Sequence, residues 1–434
     1  MIKILFFLFA LYRWFKGDRA TFYLILQLLV FEFYHFIPKT GIRGDDLALI
    51  GVFITFGYAV FQEKIYRNVI HSNTKYFITV MVIIILLSIL YYELPIIQIL
   101  AGFRQYLFVL CIYDIQRMKY YELKNFFKKL FYLNIIACLL FIIQTFIHLP
   151  IYHDGYEKSK IIKEGYLGIK RVYTFPTLTS FACLYSIFIS DLRKLSGKIF
   201  LLIGFGCLLC IQSRGMLLNV TALIIIGYFM AHNKYQSKII GLLFIFIAIY
   251  FINATMFSGE TGIKTLNDFS QITTGNVFQT DYEVQGDATF TYRIGLFVKA
   301  IYKMIDSSIT TLLFGYGFFI ELPAEKLSSI GALSLASISW NGYALFTPDI
   351  SYVNLIYHLG ILGSIVYIRF FYIITKQSYS LFSINNKFAL LSFLYTLYLL
   401  FIGLDGSNIT YSSSLLIPFL LLQASKLSNK NKIK

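Results

Sequence analysis

Four arginines and one aspartate carry the chemistry that this sequence offers. Arg214 stands in Ile211-Gln212-Ser213-Arg214-Gly215-Met216, a short polar break between two long apolar runs. Arg171 stands in Lys170-Arg171-Val172-Tyr173-Thr174-Phe175-Pro176, and Arg104 in Ala101-Gly102-Phe103-Arg104-Gln105. Arg293 opens the stretch from Tyr292 to Met304. A guanidinium presents five donors in a planar fork and keeps its charge at any physiological pH. That fork matches phosphate oxygens, which it can meet two at a time. Asp349, in Thr347-Pro348-Asp349-Ile350-Ser351-Tyr352, is the matching acid. A carboxylate in a dry setting gains proton affinity and can accept a proton from a hydroxyl. Each residue also has a plainer role. Arg214 and Arg171 suit snorkelling to lipid headgroups, Arg104 suits pairing with an acid, and Asp349 suits capping the next helix.

The elements that must position these residues follow from composition. The chain has 434 residues, of which 58% are hydrophobic, 18% aromatic and 14% charged. Soluble domains carry roughly 25% charged residues. Apolar stretches of about 17 to 24 residues recur from end to end, the length that crosses a bilayer as a helix. The alternating short segments of a membrane β-barrel are absent. The sequence therefore predicts an all-α polytopic membrane protein, one integral membrane domain over residues 1–434. A net charge of +16 would suggest nucleic acid in a soluble chain. Here the basic residues sit in short loops between spans, as the positive-inside rule describes, and no nucleic acid is implied. Cys111, Cys138, Cys183, Cys207 and Cys210 all lie within apolar runs. Cys207 and Cys210 have C-x-x-C spacing without a second pair or a histidine cluster, so neither a zinc site nor a disulfide is implied.

Residues 2–15 are apolar but short, and their basic flank (Arg13, Lys16, Arg19) follows rather than precedes them. That order argues against a signal peptide and for an interfacial helix on the cytoplasmic side. Twelve spans are expected at about 20–37, 47–63, 76–92, 95–114, 126–149, 173–191, 198–212, 215–231, 238–255, 350–373, 387–404 and 411–426. With the N-terminus inside, every second loop is basic and both termini are cytoplasmic.

Two outer loops exceed what a connector needs: about 150–172, and the large extracytoplasmic (periplasmic) loop 256–349. Within the second, Tyr292 to Met304 reads as an amphipathic helix, with Ile294, Phe297, Val298 and Ile301 at helical spacing. Ile309 to Ile320 breaks at Gly315-Tyr316-Gly317, is too short to span, and is expected to lie on or dip into the outer leaflet. This topology brings Arg171, Arg214 and Arg293 to the outer face. Arginines converging there without an aspartate-rich metal motif suit a diphosphate on a lipid carrier. His148, His153 and His358 are scattered and form no H-E-x-x-H pattern, and no P-loop, Rossmann or G-x-S-x-G pattern occurs. Neither a metal nor another cofactor is expected.

These pieces, in this order, resemble the O-antigen polymerase and O-antigen ligase superfamily of bacterial membrane glycosyltransferases. They are Gly41-Ile42-Arg43-Gly44-Asp45-Asp46-Leu47 before a span, Arg104 within one, and Arg171 before Phe175-Pro176. Ser213-Arg214-Gly215, Arg293 and Leu313-Phe314-Gly315-Tyr316-Gly317 follow, then Asp349 leading to His358-Leu359-Gly360-Ile361-Leu362-Gly363. The resemblance spans roughly residues 40–370. It implies a helical fold related to the C-type glycosyltransferases, in the bacterial cytoplasmic (inner) membrane. It further implies metal-independent, inverting transfer of a growing glycan from polyprenyl diphosphate onto a lipid-linked oligosaccharide repeat unit, as in lipopolysaccharide or capsule assembly. Arg171, Arg214 and Arg293 would hold the departing diphosphate, with Arg104 in the same binding set. Asp349 would activate or orient the acceptor hydroxyl, sharing the catalytic role with Arg214. Partners would be lipid-linked oligosaccharides, the bilayer and a chain-length regulator protein. An O-antigen ligase is the alternative within the superfamily, kept open by His358. A flippase of lipid-linked oligosaccharide is the alternative outside it, though such transporters tend to show internal repeats and none is visible here.

Overall fold

A backbone inside a bilayer must satisfy its own hydrogen bonds, which favours helices throughout. The computed structural model describes residues 2–31, 33, 43–62, 69–147, 161–162, 171–172, 175–211, 213–231, 289–319, 321–323, 326, 337–338, 343–345, 351–382, 386–404 and 414–433. In order, the helices of the first half are α1 (Ile2–Phe15), α2 (Arg19–Val30), α3 (Gly44–Phe61), α4 (Val69–Leu90) and α5 (Ile96–Phe103). A 3-10 stretch, Arg104–Cys111, joins α5 to α6 (Ile112–Ile115), and α7 (Tyr120–Ile147) follows. Then come α8 (Thr179–Phe188), α9 (Leu195–Ile211), α10 (Arg214–Ala231), α11 (Thr289–Ser307), α12 (Ile309–Phe314), α13 (Ser351–Ser380), α14 (Lys387–Ile402) and α15 (Leu416–Ile433).

Every expected span except 238–255 carries a helix, and that run lies outside the described residues. The bounds differ where local chemistry decides. α7 begins at Tyr120, six residues before its expected start, because the Lys119 N–H bonds Glu122 and opens the helix on a polar turn. Five segments are long and apolar enough to cross a membrane: α3, α4, Ile96–Ile115, α7 and α13. α2, α8, α9, Gly215–Ala231 and α14 are apolar but shorter. The protein is thus a helical, membrane-embedded one. Short antiparallel strands occur in the connectors, a detail that periodicity did not reveal. β1 (Ile161–Ile162) pairs with β2 (Arg171–Val172), placing Ile162 opposite Arg171. β3 (Glu321–Pro323), β4 (Ser337–Ile338) and β5 (Tyr343–Leu345) form a sheet in the order β3-β5-β4. The five cysteines are buried free thiols, as their apolar surroundings suggest.

Polar ties between helices replace the hydrophobic drive that lipid cannot supply. The Asn134 side chain donates to the Leu178 carbonyl at 2.7 Å, joining α7 to α8. Asn73 donates to Val366 O at 3.1 Å, joining α4 to α13, and Asn386 donates to Ser425 O at 3.0 Å, joining α14 to α15. The strongest tie is built on Asp114, which is 0% exposed. Its carboxylate accepts from Trp14 Nε1 at 3.1 Å, Arg19 Nε at 3.1 Å and Tyr23 OH at 3.0 Å. A buried carboxylate is costly unless its lone pairs are met, and three donors from α1 and α2 meet this one. Those two helices are thereby pinned to the end of the Ile96–Ile115 span. Replacing Asp114 with Ala strands the Arg19 charge and two buried donors, and should cost about 3–5 kcal/mol of stability. Thermal unfolding of the purified protein in detergent would read this as a large loss of Tm, and an unchanged Tm would refute it.

Candidate functional site

The residues from α12 to the break in α13 form a closely packed backbone junction. α12 is capped at its start by Ser308, whose Oγ accepts from the Thr311 N–H at 3.1 Å, and it stops at Gly315 with φ 78°. From Gly315 to Phe319 the chain runs buried between helices rather than along a surface. α13 is interrupted opposite it, at Gly360, with φ 61° and ψ −171°. The two glycine motifs seen in the sequence therefore meet. A Cβ on Gly360 would stand 2.3 Å from Leu313 O, and one on Gly315 would stand 2.5 Å from Tyr357 O. No other residue tolerates both the positive φ and the approach.

Helices on each side supply the polar partners that this inserted backbone requires. The Tyr316 N–H donates to Tyr357 O at 2.7 Å, and the Phe318 N–H donates to Ser88 Oγ at 3.3 Å. Tyr92 OH lies 2.9 Å from Gly315 O and 2.7 Å from Thr311 Oγ1. Gly102 lets α5 close on the segment, since a Cβ there would meet Phe319 N at 2.7 Å. Around this junction the interior is filled with rings. Phe318 stands 5.7 Å from Tyr106, which stands 5.5 Å from Tyr367, while Phe77 stands 5.4 Å from Tyr367 and 5.8 Å from Phe370. His358 is part of this core, with Nδ1 3.5 Å from Tyr106 OH and its ring 5.5 Å from Phe319. His358 is thus a buried core residue.

Arg104 lies two residues from Gly102, at the head of the 3-10 stretch. Its Nη1 donates to Asp46 Oδ1 at 2.8 Å, and Nη2 stands 3.7 Å from Asp45 Oδ2. Arg43 holds the same Asp45 through Nε and Nη2, at 3.1 and 2.9 Å. Arg104 thus takes the acid-paired role that the sequence left open, with partners in the first turn of α3. An arginine within a span needs such a counter-charge.

Helix directions show which arginines share an end of the bundle. α7 starts three residues after Arg117, whose Nη2 bonds Gln62 just past α3, so α7 finishes where α3 begins. α8 runs antiparallel to α7, with Asn134 on Leu178 O and the Phe131 ring 4.5 Å from Tyr185. α9 returns beside α7. Cys138 and Cys207 both reach the Thr179 hydroxyl, and Gly206 lies against Ile142. Ser213-Arg214 therefore falls beyond Ile142, at the end where α3 begins. Arg171 sits in β2, which packs against α9 and precedes α8 at that same end. α13 runs antiparallel to α4 and begins there too. The break expected at Ser213-Arg214-Gly215 is a tight one. Ser213 Oγ accepts from the Met216 N–H at 3.3 Å and caps α10, so Arg214 is the first residue of that helix. Arg293 lies in the first half of α11, which packs on α12 and α13. Asp349 lies outside the described residues.

Sequence reading missed the roles of Asp114, Ser88 and Tyr92. Asp114 carried a signal, as an ionisable residue at the end of an apolar run. Ser88 and Tyr92 carried none, because their partners lie more than two hundred residues away. Among the described residues no cluster of histidine, cysteine or carboxylate groups would hold a metal ion. No protein-family model matches the chain, and no curated protein matches it.

Two measurements probe this junction. Gly360→Ala forces a side chain into a positive-φ site facing a carbonyl, and should destabilise the fold by about 3 kcal/mol or more. Gly57→Ala, which meets nothing within 4 Å, is the neutral control for thermal unfolding. A double-mutant cycle on Arg104→Ala and Asp46→Ala should give a coupling of about 0.5–1 kcal/mol, small because Asp46 is 39% exposed and water screens the pair. Additive losses would mean that the pair does not hold α3 to the 3-10 stretch.

Proposed function

We propose that this chain is a polysaccharide polymerase of the bacterial cytoplasmic membrane, acting on polyprenyl-diphosphate-linked oligosaccharides at the outer face. In this reading an acceptor hydroxyl of a lipid-linked repeat unit attacks the anomeric carbon of the growing glycan. The bond from that carbon to the diphosphate oxygen breaks, and the acceptor proton passes to Asp349. The departing polyprenyl diphosphate is held by Arg214 and Arg171, with Arg293 on the loop helix closing over it. Bonds to a charged group contribute roughly 1.5–3 kcal/mol each, enough for two or three guanidinium groups to stabilise the leaving group.

The observation that carries the reading is the place of Arg214. It is the first residue of an 18-residue helix, at the same end as the strand bearing Arg171. A helix start already presents unpaired N–H groups and the positive end of the dipole, so an anion is favoured there and a lone cation is not. Arginine at that position makes sense when a phosphate is its partner. The flippase alternative needs a cationic central passage, whereas the described interior around Tyr106, Phe318 and Tyr367 is packed with rings. Arg104, with its two acids, is better placed to hold α3 than to bind diphosphate.

Purified protein supplied with lipid-linked repeat units alone should yield longer lipid-linked chains, without added metal or core acceptor. Arg214→Lys keeps the charge but loses the two-pronged geometry, and should cost tenfold or more in chain extension, about 1.4 kcal/mol. Near-normal chain length in that variant would return Arg214 to a headgroup anchor. A deletion strain should show surface glycan limited to one repeat unit on a gel, and complete loss of surface glycan would overturn the polymerase reading.

A further inference from the structure

The opposite end of the bundle holds an arginine that the proposed reaction does not use. Arg117 lies in the turn between α6 and α7. Its Nη2 donates to Gln62 Oε1 at 2.5 Å, and its Cζ stands 5.4 Å from the centre of the Tyr58 ring. Nη1 is shielded from solvent and has no hydrogen-bond partner among the described residues. The neighbouring arginines are both occupied by acids, Arg13 by Asp18 and Arg19 by Asp114. Arg117 has no carboxylate within ion-pair distance among the described residues. Burial tends to raise the Asp18 carboxyl pKa, but bonds from Arg13 and Thr21 outweigh it and hold that group below its usual range. Asp18 therefore stays ionised and committed to Arg13. A half-buried guanidinium with an orphan donor and no counter-ion among the described residues is favoured by an anion arriving from outside.

The surroundings indicate which anion. Tyr58 is sandwiched between Arg117 and Trp14 of α1, whose ring is 5.0 Å away. α1 has 14 residues and so is about 21 Å long, too short for a hydrocarbon core of about 30 Å. Its outer face leaves Ile2, Leu5, Phe9, Tyr12 and Phe15 exposed, the pattern of a helix lying in the headgroup boundary. Lys16 and Lys119 are exposed on the same corner. Across residues 13–19 and 114–122 cations outnumber carboxylates by five to three. Apolar surface, aromatic rings and a cation unmatched among the described residues, at the ends of two spans, fit a lipid with an anionic head.

We propose that the corner formed by Trp14, Tyr58, Gln62 and Arg117 binds the phosphate of an anionic phospholipid, whose acyl chains run along the exposed face of α1. Gln62 is exposed, so its neutral amide gives way to the phosphate as the partner of Arg117. The site is independent of the polymerase reading and lies at the other end of the bundle from Arg214.

Full-length protein carrying Trp340→Phe, which leaves Trp14 as the sole tryptophan, is placed in phosphatidylcholine nanodiscs. Brominated phosphatidylglycerol or brominated phosphatidylcholine is added as a minor component, and Trp14 quenching reports which lipid occupies the corner. Phosphatidylglycerol should be enriched about tenfold, the scale of one bond to a charged group. Arg117→Gln should abolish the preference. Gln62→Glu supplies an internal counter-ion, so it should abolish the preference while keeping the fold, which covers the case in which Arg117→Gln does not fold. Equal quenching by the two lipids in the parent, or a preference unchanged in Gln62→Glu, would overturn the proposal. So would displacement of phosphatidylglycerol by polyprenyl phosphate at much lower amounts, which would assign the corner to a carrier lipid instead.

Discussion

Backbone can enter an apolar bundle only where side chains leave room and where every N–H and C=O finds a partner. The segment from Gly315 to Phe319 meets both conditions, and the neighbouring helices are arranged to let it do so. Gly360 breaks α13 opposite it, Gly102 lets α5 approach, and Gly317 approaches Ser88 so closely that a Cβ would stand 2.2 Å from Ser88 Oγ. Ser88 serves twice, donating to Ile84 O at 2.7 Å while accepting from Phe318. These contacts lock α4, α5, α12 and α13 to a common backbone rather than to interchangeable side chains. Removing any one glycine would displace main chain, which a packed interior cannot absorb locally.

Charge imposes the second constraint, and one span carries both of its solutions. Arg104 opens the 3-10 stretch and Asp114 follows it within α6, facing acids of α3 in one case and donors of α1 and α2 in the other. A 3-10 helix rises about 2.0 Å per residue against about 1.5 Å in an α-helix. The eight residues Arg104–Cys111 therefore reach about 4 Å further than the same residues would as α-helix. The poorer hydrogen-bond geometry of the stretch is offset by the ties made at Arg104 and, just beyond the stretch, at Asp114. The two ties differ in weight, because Asp114 is 0% exposed and Arg104 is 19% exposed at its side chain. The buried carboxylate cannot do without its donors, whereas water can partly replace the acids of Arg104.

Helices were legible because a span must be long, apolar and internally bonded, and those properties are local to the sequence. The turn at Ser213 was legible for the same reason, as a short polar break between two apolar runs. The amphipathic run at Tyr292–Met304 falls inside α11 because its 3.6-residue period survives in an otherwise polar loop. What remained hidden was pairing across distance. Gly315 read as a break, whereas Gly360 lay within a span expected to be continuous, and only the fold shows that the chain breaks at both where they meet. Asp45 and Asp46 read as the start of a span, and only their position against Arg104 gives them a second task. Periodicity describes one element at a time. It says nothing about which carboxylate a distant guanidinium will meet.

The same electrostatic rule sorts the arginines at the end where α3 begins. Asp45 and Asp46 occupy the first turn of α3, where the helix dipole favours negative charge by about 0.3–1 kcal/mol per group. Arg104 then approaches a helix start already supplied with acid, and the local charges cancel. α10 is built the other way: its first turn contains no acidic residue and opens on Arg214 itself. Its own dipole opposes that cation by a similar amount. A positive side chain set against its helix, where the neighbouring helix start is neutralised, is a placement that intrahelical stability does not favour. In the proposed reading its rationale lies outside the helix, in a negative group that the N–H donors of α10 and the guanidinium would share. A diphosphate at that helix start would convert an unfavourable local arrangement into two favourable ones. It would also leave Arg104 free of any catalytic duty, holding the start of α3 in register with the inserted segment beside it.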